Sequence, residues 1–421
     1  MTDEKLNNFT IELPENVKYI ISTIEGNNLE AYAVGGCVRD TILGKEPDDW
    51  DITTSALPTQ VKSFFKRTID TGIAHGTVTV MLDKTGYEVT TYRIDGDYSD
   101  GRHPDTVEFS VRLVDDLMRR DFTINAMAYN DKYGLVDEFD GITDLNNKII
   151  RCVGKPEERF SEDALRMMRA IRFSAQLTFS IENNTLNAIR ALAPAISQIS
   201  MERIHVELGK TLLSPNPDYV LMYSQTGLFK YILPVLDNAL KGKYSKKILT
   251  TLRLVPADIN LRYAALFSAS TSDEAVSTLR TLKMDNKTID TVSKLVKYSQ
   301  EDIEETEPAV RTALNKYGRD IMPLLHELML AKYKASEEIT GIKNPSRIHH
   351  LLTIKRLSDD ILERGDCFTI KDLDISGNDL IEYGLKGQEI GNTLKALLDV
   401  VIENPKLNEK GTLIALIEHI K

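Results

Sequence analysis

Asp49-Trp50-Asp51 places two carboxylates two residues apart. In a strand, positions i and i+2 share a face, so the pair makes one acidic edge while Trp50 and Ile52 turn to a face that can be buried. Carboxylates held side by side repel each other and call for a cation between them, and hard oxygen ligands on a rigid strand suit Mg²⁺. The signature is one of phosphate chemistry. Just upstream, the apolar run Ala31 to Val34 leads into Gly35-Gly36, where a backbone without Cβ atoms can approach a triphosphate closely. Val38, Ile42 and Leu43 then keep helical spacing up to Gly44, so the spacing predicts strand, glycine turn and helix, with Arg39 early in that helix and able to reach a phosphate.

The neighbouring elements must hold this edge in place. Pro14 to Glu25 carries Val17, Ile20, Ile21 and Ile24 at helical spacing, with proline in the first turn and Gly26 as a stop. Pro58 to Arg67 reads as a second helix. Val78 to Leu82 and Tyr87 to Tyr92 are β-rich runs around Asp83-Lys84-Thr85-Gly86 and predict a hairpin. Its second strand puts Glu88 on the face opposite Tyr87, Val89 and Thr91, next to the sheet that carries the aspartates. A lone strand glutamate is commonly just solvated. Beside two aspartates, a third carboxylate is what a phosphoryl-transfer site uses to bind or deprotonate the attacking hydroxyl. Asp95 to Phe109 is rich in Gly, Asp and Pro without sustained periodicity and reads as a loop. Beyond about Thr178 helical periodicity dominates.

Composition sets wider bounds. A chain of 421 residues suits about two to four domains. No apolar run approaches the ~18 residues of a membrane span, and the polar start MTDEKLNN resembles neither a signal nor a transit peptide, so a cytoplasmic protein is expected. Cys37, Cys152 and Cys367 are widely spaced and fit no metal motif, which reads as ordinary reduced thiols. A formal charge of −11 weighs against a nucleic-acid partner, but net charge does not locate patches. Lys241 to Arg253 and Lys332 to Arg356 are locally basic; each is either a solvated helix face or a phosphate-contacting surface.

The run AVGGCVRDTILG…DDWDITT resembles the first motif of class II tRNA nucleotidyltransferases, the bacterial-type CCA-adding enzymes of the polymerase-β-like superfamily. Further motifs follow in the family's order. Glu88 in EVTTYR stands where the family places its third acid, and the 95–109 segment stands where it has a loop used to add the terminal A, which enzymes adding only CC lack. Arg119 to Ala128, RRDFTINAMA, is similar to the second motif, which implies Arg120, Asp121 and Asn125 around the ribose and phosphates; a partner for the 2′-OH separates ribo- from deoxyribonucleotides. VDEFDGITDL (136–145) is similar to the third, hinge-like motif but has Glu138 for the usual proline and Asp140 for the first glycine. Asp tolerates the left-handed conformation better than most residues, so a turn is expected to survive there. Glu202 to Leu213 is similar to the fifth motif and reads as structural.

SEDALRMMRAIRFSAQL (161–177) predicts a helix capped by Ser161, with Leu165, Met168 and Ile171 forming an apolar stripe beside Ala164 and Met167. Asp163, Arg166 and Arg169 lie three apart, which alone is compatible with helix-steadying ion pairs worth a few tenths of a kcal/mol each. The stretch also resembles the family's EDxxR template. Cytosine and adenine both present an exocyclic amine beside a ring acceptor, whereas uracil and guanine present a carbonyl beside an N–H. A fixed carboxylate and guanidinium, Asp163 and Arg166, would accept the first pair and reject the second, with Arg169 and Arg172 extending towards the phosphates.

The resemblance implies an α+β fold: a polymerase-β-like head with a small mixed sheet (1–150), then an all-α neck bearing the template (151–215), body (216–310) and tRNA-binding tail (311–421). It implies addition of cytidine and adenosine to the tRNA 3′ end from CTP and ATP, Mg²⁺ on Asp49 and Asp51, and a monomer or homodimer. Three rivals stand beside it. An A-adding enzyme keeps every motif. A bacterial poly(A) polymerase usually has a strongly basic C-terminal extension, and this sequence ends IEHIK; a non-catalytic tRNA-binding protein has no need of a complete acidic triad. Nucleotidyltransferases of antibiotics or second messengers lack the EDALR stretch and the long helical part, and the absence of any His-Asp dipeptide makes a phosphohydrolase domain unexpected. The tail glycines Gly377, Gly384, Gly387 and Gly391 read either as helix breaks open to RNA or as simple caps and turns.

Overall fold

Strand β1 (Ala31–Val34) is buried along its whole length because both of its faces are covered. Tyr32 and Val34 meet Tyr92, Leu117, Ala126, Ala128 and Val153 in one apolar cluster. The helix Glu15–Glu25 packs across β1 and β2 (Ile52–Thr54) with Val17, Ile20, Ile21 and Ile24 all buried, the four residues whose spacing predicts it. The computed structural model describes residues 10–96 and 107–420. The chain divides into two compact units, Met1–Pro234 and Val235–Lys421. The expected boundaries at 150 and 215 fall inside the first, and that at 310 inside the second.

The first unit is built on a seven-stranded sheet of order β3-β4-β5-β2-β1-β8-β9, with β3 Thr68–Gly72, β4 Thr77–Leu82, β5 Thr85–Thr91, β8 Met127–Asn130 and β9 Gly134–Asp137. All neighbours are antiparallel except β2 and β5, which run parallel with Ile52 opposite Val89. A mixed sheet and a helical remainder are the predicted α+β architecture. The hairpin β4–β5 turns on Asp83 and Lys84 alone, both at positive φ (46° and 67°), a two-residue turn whose twist suits the flanking strands; Thr85 and Gly86 already pair with Leu82 and Met81. The helix from Pro58 ends at Phe64, short of Arg67, because Thr68 opens β3.

The segment read as a loop has paired flanks. β6 (Arg93–Asp95) and β7 (Val107–Phe109) form an antiparallel ribbon, a long-range pairing invisible to local periodicity; residues 97–106 between them lie outside the described residues. At the departure from the third motif, Asp140 sits at φ 59°, ψ 30°, so the left-handed turn survives without glycine. Asp137 then accepts from the Gly141 and Ile142 amides at 2.7 and 2.8 Å, satisfying the first turn of helix Gly141–Asn147.

The second unit is helical throughout its regular structure. Its last core gathers Leu373, Leu380, Leu397, Val401 and Leu413 among others. Arg311, almost fully buried, donates to the Ile402 carbonyl and to Asp366 at 2.7 and 2.9 Å. Of the tail glycines, Gly384 and Gly387 adopt positive φ between the helices Gly377–Glu382 and Gln388–Glu403, whereas Gly377 and Gly391 lie within those helices and break neither.

Gly141 is the tightest backbone position of the first unit's turns: a Cβ there would stand 2.5 Å from the Thr123 carbonyl oxygen and 2.9 Å from Met127. Gly141→Ala should therefore cost about 1–3 kcal/mol as overpacking against backbone, read as a lower midpoint at unchanged slope in urea unfolding.

Candidate active site

Gly35 adopts φ 86°, and a Cβ on it would lie 2.9 Å from Arg120 Nη1. Only glycine meets both conditions. The turn hands β1 to the helix Gly36–Ile42, as predicted, and Gly35 N donates back to the Met127 carbonyl of β8 at 3.1 Å.

Asp49 and Asp51 correct the strand expectation. Both lie in the irregular segment before β2, which begins at Ile52. The first rung of the β1 pairing is still made, since Val34 N donates to the Asp51 carbonyl at 3.0 Å. Ile52 is fully buried, Asp51 partly buried and Asp49 exposed. Parallel pairing of Ile52 with Val89 sets Asp51 level with Glu88, which is exposed at the rim. Burial, then the charge of Asp49 and more weakly that of Glu88, push the Asp51 carboxyl up to about 6, against the pull of Arg120. Among the described residues no cluster of three or more acid, histidine or cysteine side chains closes to metal-holding distance. The pair Asp49–Asp51 remains, and a half-buried carboxylate raised by its neighbours' charge fits a divalent cation as its missing partner.

The arginines are held by buried acids. Asp116, wholly buried, accepts from Arg119 Nη2 at 2.6 Å, from Arg120 Nη2 at 3.1 Å and from the Thr53 hydroxyl at 3.0 Å. Burial alone would raise Asp116; the two guanidiniums outweigh it and hold the carboxyl below its ordinary range. Arg120 is thereby aimed at Gly35 and Asp51, and its buried Nε has no hydrogen-bond partner among the described residues. Asp121 takes the Phe122 amide at 2.9 Å, Asn125 Nδ2 at 3.1 Å and Arg169 Nε at 2.8 Å. Against burial, Arg169 and that Asn125 bond hold it down to about 2. Asn125 Oδ1 in turn accepts from Arg39 Nη1 at 2.6 Å, and Arg39 forks onto Asp40. Arg39, Arg120, Asp121, Asn125 and Arg169 are thus brought together beside the glycine turn.

The template stretch differs in its helix boundaries. Ser161 closes the preceding helix, Pro156–Glu162, and caps nothing. The break falls at Asp163, whose extended backbone (φ −144°) lets its carboxylate take the Leu165 amide at 3.0 Å, starting the helix Leu165–Leu177. The side chains of Asp163 and Arg166 do not pair with each other, although Arg166 N donates to the Asp163 carbonyl at 3.0 Å. Arg203 forks onto Asp163 at 2.7 and 3.3 Å. Arg166 is held by Glu162 and by the Arg159 and Arg119 carbonyls. Arg172 is buried against Glu207, and Arg39, Arg169 and Arg172 all stand over the Phe173 ring, at 5.1, 5.4 and 3.9 Å. A cleft of about 540 Å³ runs from Gly36, Arg39 and Asp49 to Phe173 and Lys210.

Asp116, Arg203, Glu207 and Phe173 are the positions the sequence reading missed. Arg203 and Glu207 belong to the helix Met201–Leu212, read as purely structural. Asp116 carried a weak signal, four residues before Arg120 on a helix. Cys37, Cys152 and Cys367 are buried free thiols, and burial raises Cys37, the nearest to the site, to about 11.

Residues 31–151 match the Poly A polymerase head domain. That defines the class, a nucleotidyltransferase with a polymerase-β-like head, whose members depend on a divalent metal. Residues 178–240 match the "Probable RNA and SrmB- binding site of polymerase A", and 259–417 match the tRNA nucleotidyltransferase domain 2. The CCA-adding enzyme of Ligilactobacillus salivarius is 53% identical over 213 residues, a match spanning 50% of this chain and 53% of that one, about half the length of the relative. That of Levilactobacillus brevis is 38% identical over 96% of this chain and 97% of its own. The crystal structure of the Bacillus stearothermophilus CCA-adding enzyme in complex with CTP superposes with a TM-score of 0.76 at 32% identity, covering 96% of each chain. The chain belongs to the CCA-adding enzymes, a family of tRNA nucleotidyltransferases.

A carboxyl raised by folding binds more protons in the native state than in the unfolded one, so its contribution weakens stability as pH rises from its unfolded value near 4 through about 6. Without divalent cation, Asp51→Asn should be more stable than the parent chain by about 2 kcal/mol at pH 7.5, with the gap closing near pH 4 in urea titrations.

Proposed function

We propose that this chain adds cytidine and adenosine to the 3′ end of tRNA, taking CTP and ATP in turn without a nucleic-acid template. The observation that carries the reading is the Asp49–Asp51 pair beside the Gly35–Gly36 turn, with the Arg120 guanidinium against Gly35 and its charge acting on Asp51, in a chain matched along its length by CCA-adding enzymes. Asp49 and Asp51 would hold Mg²⁺, which when bound supplies positive charge against the phosphates and acidifies a hydroxyl. Glu88, level with Asp51, accepts the proton of the primer 3′-hydroxyl. The 3′-oxygen attacks the α-phosphate, the bond to the bridging oxygen of the β-phosphate breaks in line, and pyrophosphate leaves. Gly35 and Gly36 give the triphosphate a close backbone approach, Arg39 and Arg120 oppose its charge, and Asp121 and Asn125 orient the ribose.

The hydrogen bonds around the template leave the capacity that base reading needs. Of the five guanidinium N–H donors, Arg166 spends those of Nη1 and one of Nη2 on Glu162 and two carbonyls, leaving Nε–H and one Nη2–H. Asp163 spends about three of its roughly four acceptor sites on Arg203 and the Leu165 amide. One acceptor and one fixed donor match the shared edge of cytosine and adenine. Arg169 and Arg172 carry the site on towards the phosphates. A tRNA partner places this work in the cytoplasm, and no described helix is long and apolar enough to cross a membrane.

The test is incorporation with Mg²⁺ on tRNA ending at the discriminator base and on tRNA ending in CC, with CTP and ATP singly and together. Growth by three nucleotides and no more is the expected result. A single A on the CC-ended tRNA alone would mark an A-adding enzyme, long A tails a poly(A) polymerase, and no incorporation a tRNA binder. Asp49→Ala should abolish transfer of both nucleotides while tRNA binding persists. Arg166→Ala should erode CTP-over-UTP discrimination more than it lowers nucleotide affinity; discrimination at the parent level would place base choice elsewhere.

A further inference from the structure

Five of the eleven basic residues of the two basic stretches are paired with acids, among them Lys241 with Asp237 at 2.8 Å, Arg253 with Glu338 at 2.9 Å and Lys355 with Asp359 at 3.0 Å. Lys247 and Lys332 are not among them, and these two share a site. They come from different helices, Ser245–Leu254 and Ile321–Thr340, and line one pocket of about 400 Å³ in the second unit. Neither has a carboxylate partner among the described residues. The other polar lining consists of neutral groups, including the Ser268 and Ser270 hydroxyls and the Gln300 amide, and Tyr244 stands at the wall with half its surface exposed.

Two like charges sharing a concave, acid-free wall are unfavourable unless something answers them. Lys332 Nζ donates to the Ser299 carbonyl at 3.3 Å and to its hydroxyl at 3.0 Å, which fixes the ammonium and leaves one of its three N–H donors uncommitted. Burial, reinforced by the Lys247 charge, lowers Lys332 to about 8, so it stands within reach of losing its proton near neutral pH. A bound oxyanion would answer the Lys247 charge and favour the protonated form of Lys332. We propose that this pocket is a phosphate-binding site, with Lys247 and Lys332 as its cations and the serine hydroxyls and Gln300 as its neutral donors. The phosphate comes either from the backbone of the bound RNA, where Tyr244 offers a stacking face to the adjoining nucleotide, or from free phosphate. The RNA source rests on the function proposed above; the free-phosphate source does not.

The experiment measures tRNA affinity against salt for the parent chain, Lys247→Ala and Lys332→Met, and thermal unfolding of all three with and without 10 mM inorganic phosphate. Lys332→Met keeps the stem volume where burial matters, and Lys247→Ala changes a less buried position, so a folding failure of one leaves the other informative. If the phosphate is the RNA's, each variant binds tRNA about tenfold more weakly at low salt with the slope of log affinity against log salt reduced by about 1. If it is free phosphate, the parent alone gains melting temperature with phosphate and tRNA affinity is unchanged. Parent-like tRNA affinity and slope in both variants, together with equal phosphate shifts in all three chains, would overturn the proposal. A parent chain that binds no tRNA defeats the proposed function instead, and the melting arm then decides the pocket.

Discussion

The buried carboxylate of Asp121 is the joint on which the first unit's chemistry depends. It accepts from its own turn, from Asn125 and from Arg169 of the helix Leu165–Leu177. One anion with three kinds of donor fastens the entrance of β8 to the helix that carries the arginines. Because charge-assisted bonds in low dielectric are strong and their loss leaves a buried charge, the arrangement is nearly all-or-none. Asn125 passes the constraint to Arg39, and Arg39 passes it to the glycine turn. Asp121 and Asn125 thus hold in place the arginines on either side of them, Arg169 and Arg39.

A second constraint is the repeated use of acids as holders of arginine. Asp116 fixes Arg119 and Arg120, Glu207 fixes Arg172, and Arg203 in turn fixes Asp163. A guanidinium keeps its charge while several of its donors are occupied. This lets a chain of net charge −11 keep a cationic site: many of the acids nearest the arginines are committed to them and present little negative potential of their own.

The sequence reading was strongest where a local rule decided the matter. Gly35-Gly36 stood as a turn between a strand and a helix, Val17 to Ile24 had a helical period, Asp140 stood where a short polar side chain tolerates a left-handed turn, and all three are as expected. It fell short where a distant partner decided. No local pattern shows that 93–95 pairs with 107–109, that β3 exists, or that Arg203 grips Asp163 forty residues away. Ser161 failed as a helix start because it still belongs to the helix Pro156–Glu162 and the new helix opens after Asp163, which takes the Leu165 amide, and Asp49–Asp51 failed as a strand because only one rung of pairing reaches them.

The parallel step between β2 and β5 also bears on the order in which the molecule is built. The hairpin β4–β5 can close early, since its two-residue turn brings neighbours together at little entropic cost. Setting Asp51 level with Glu88 requires the chain from β2 to pass through the helix Pro58–Phe64, β3 and β4 and then return, a non-local closure that comes late in folding. The charges of Asp51 and Glu88 therefore meet only once β2 has closed onto the hairpin. Until then Asp49 and Asp51, neighbours along the chain, stand without the third acid, and the full charge of the acidic edge is assembled only by the fold.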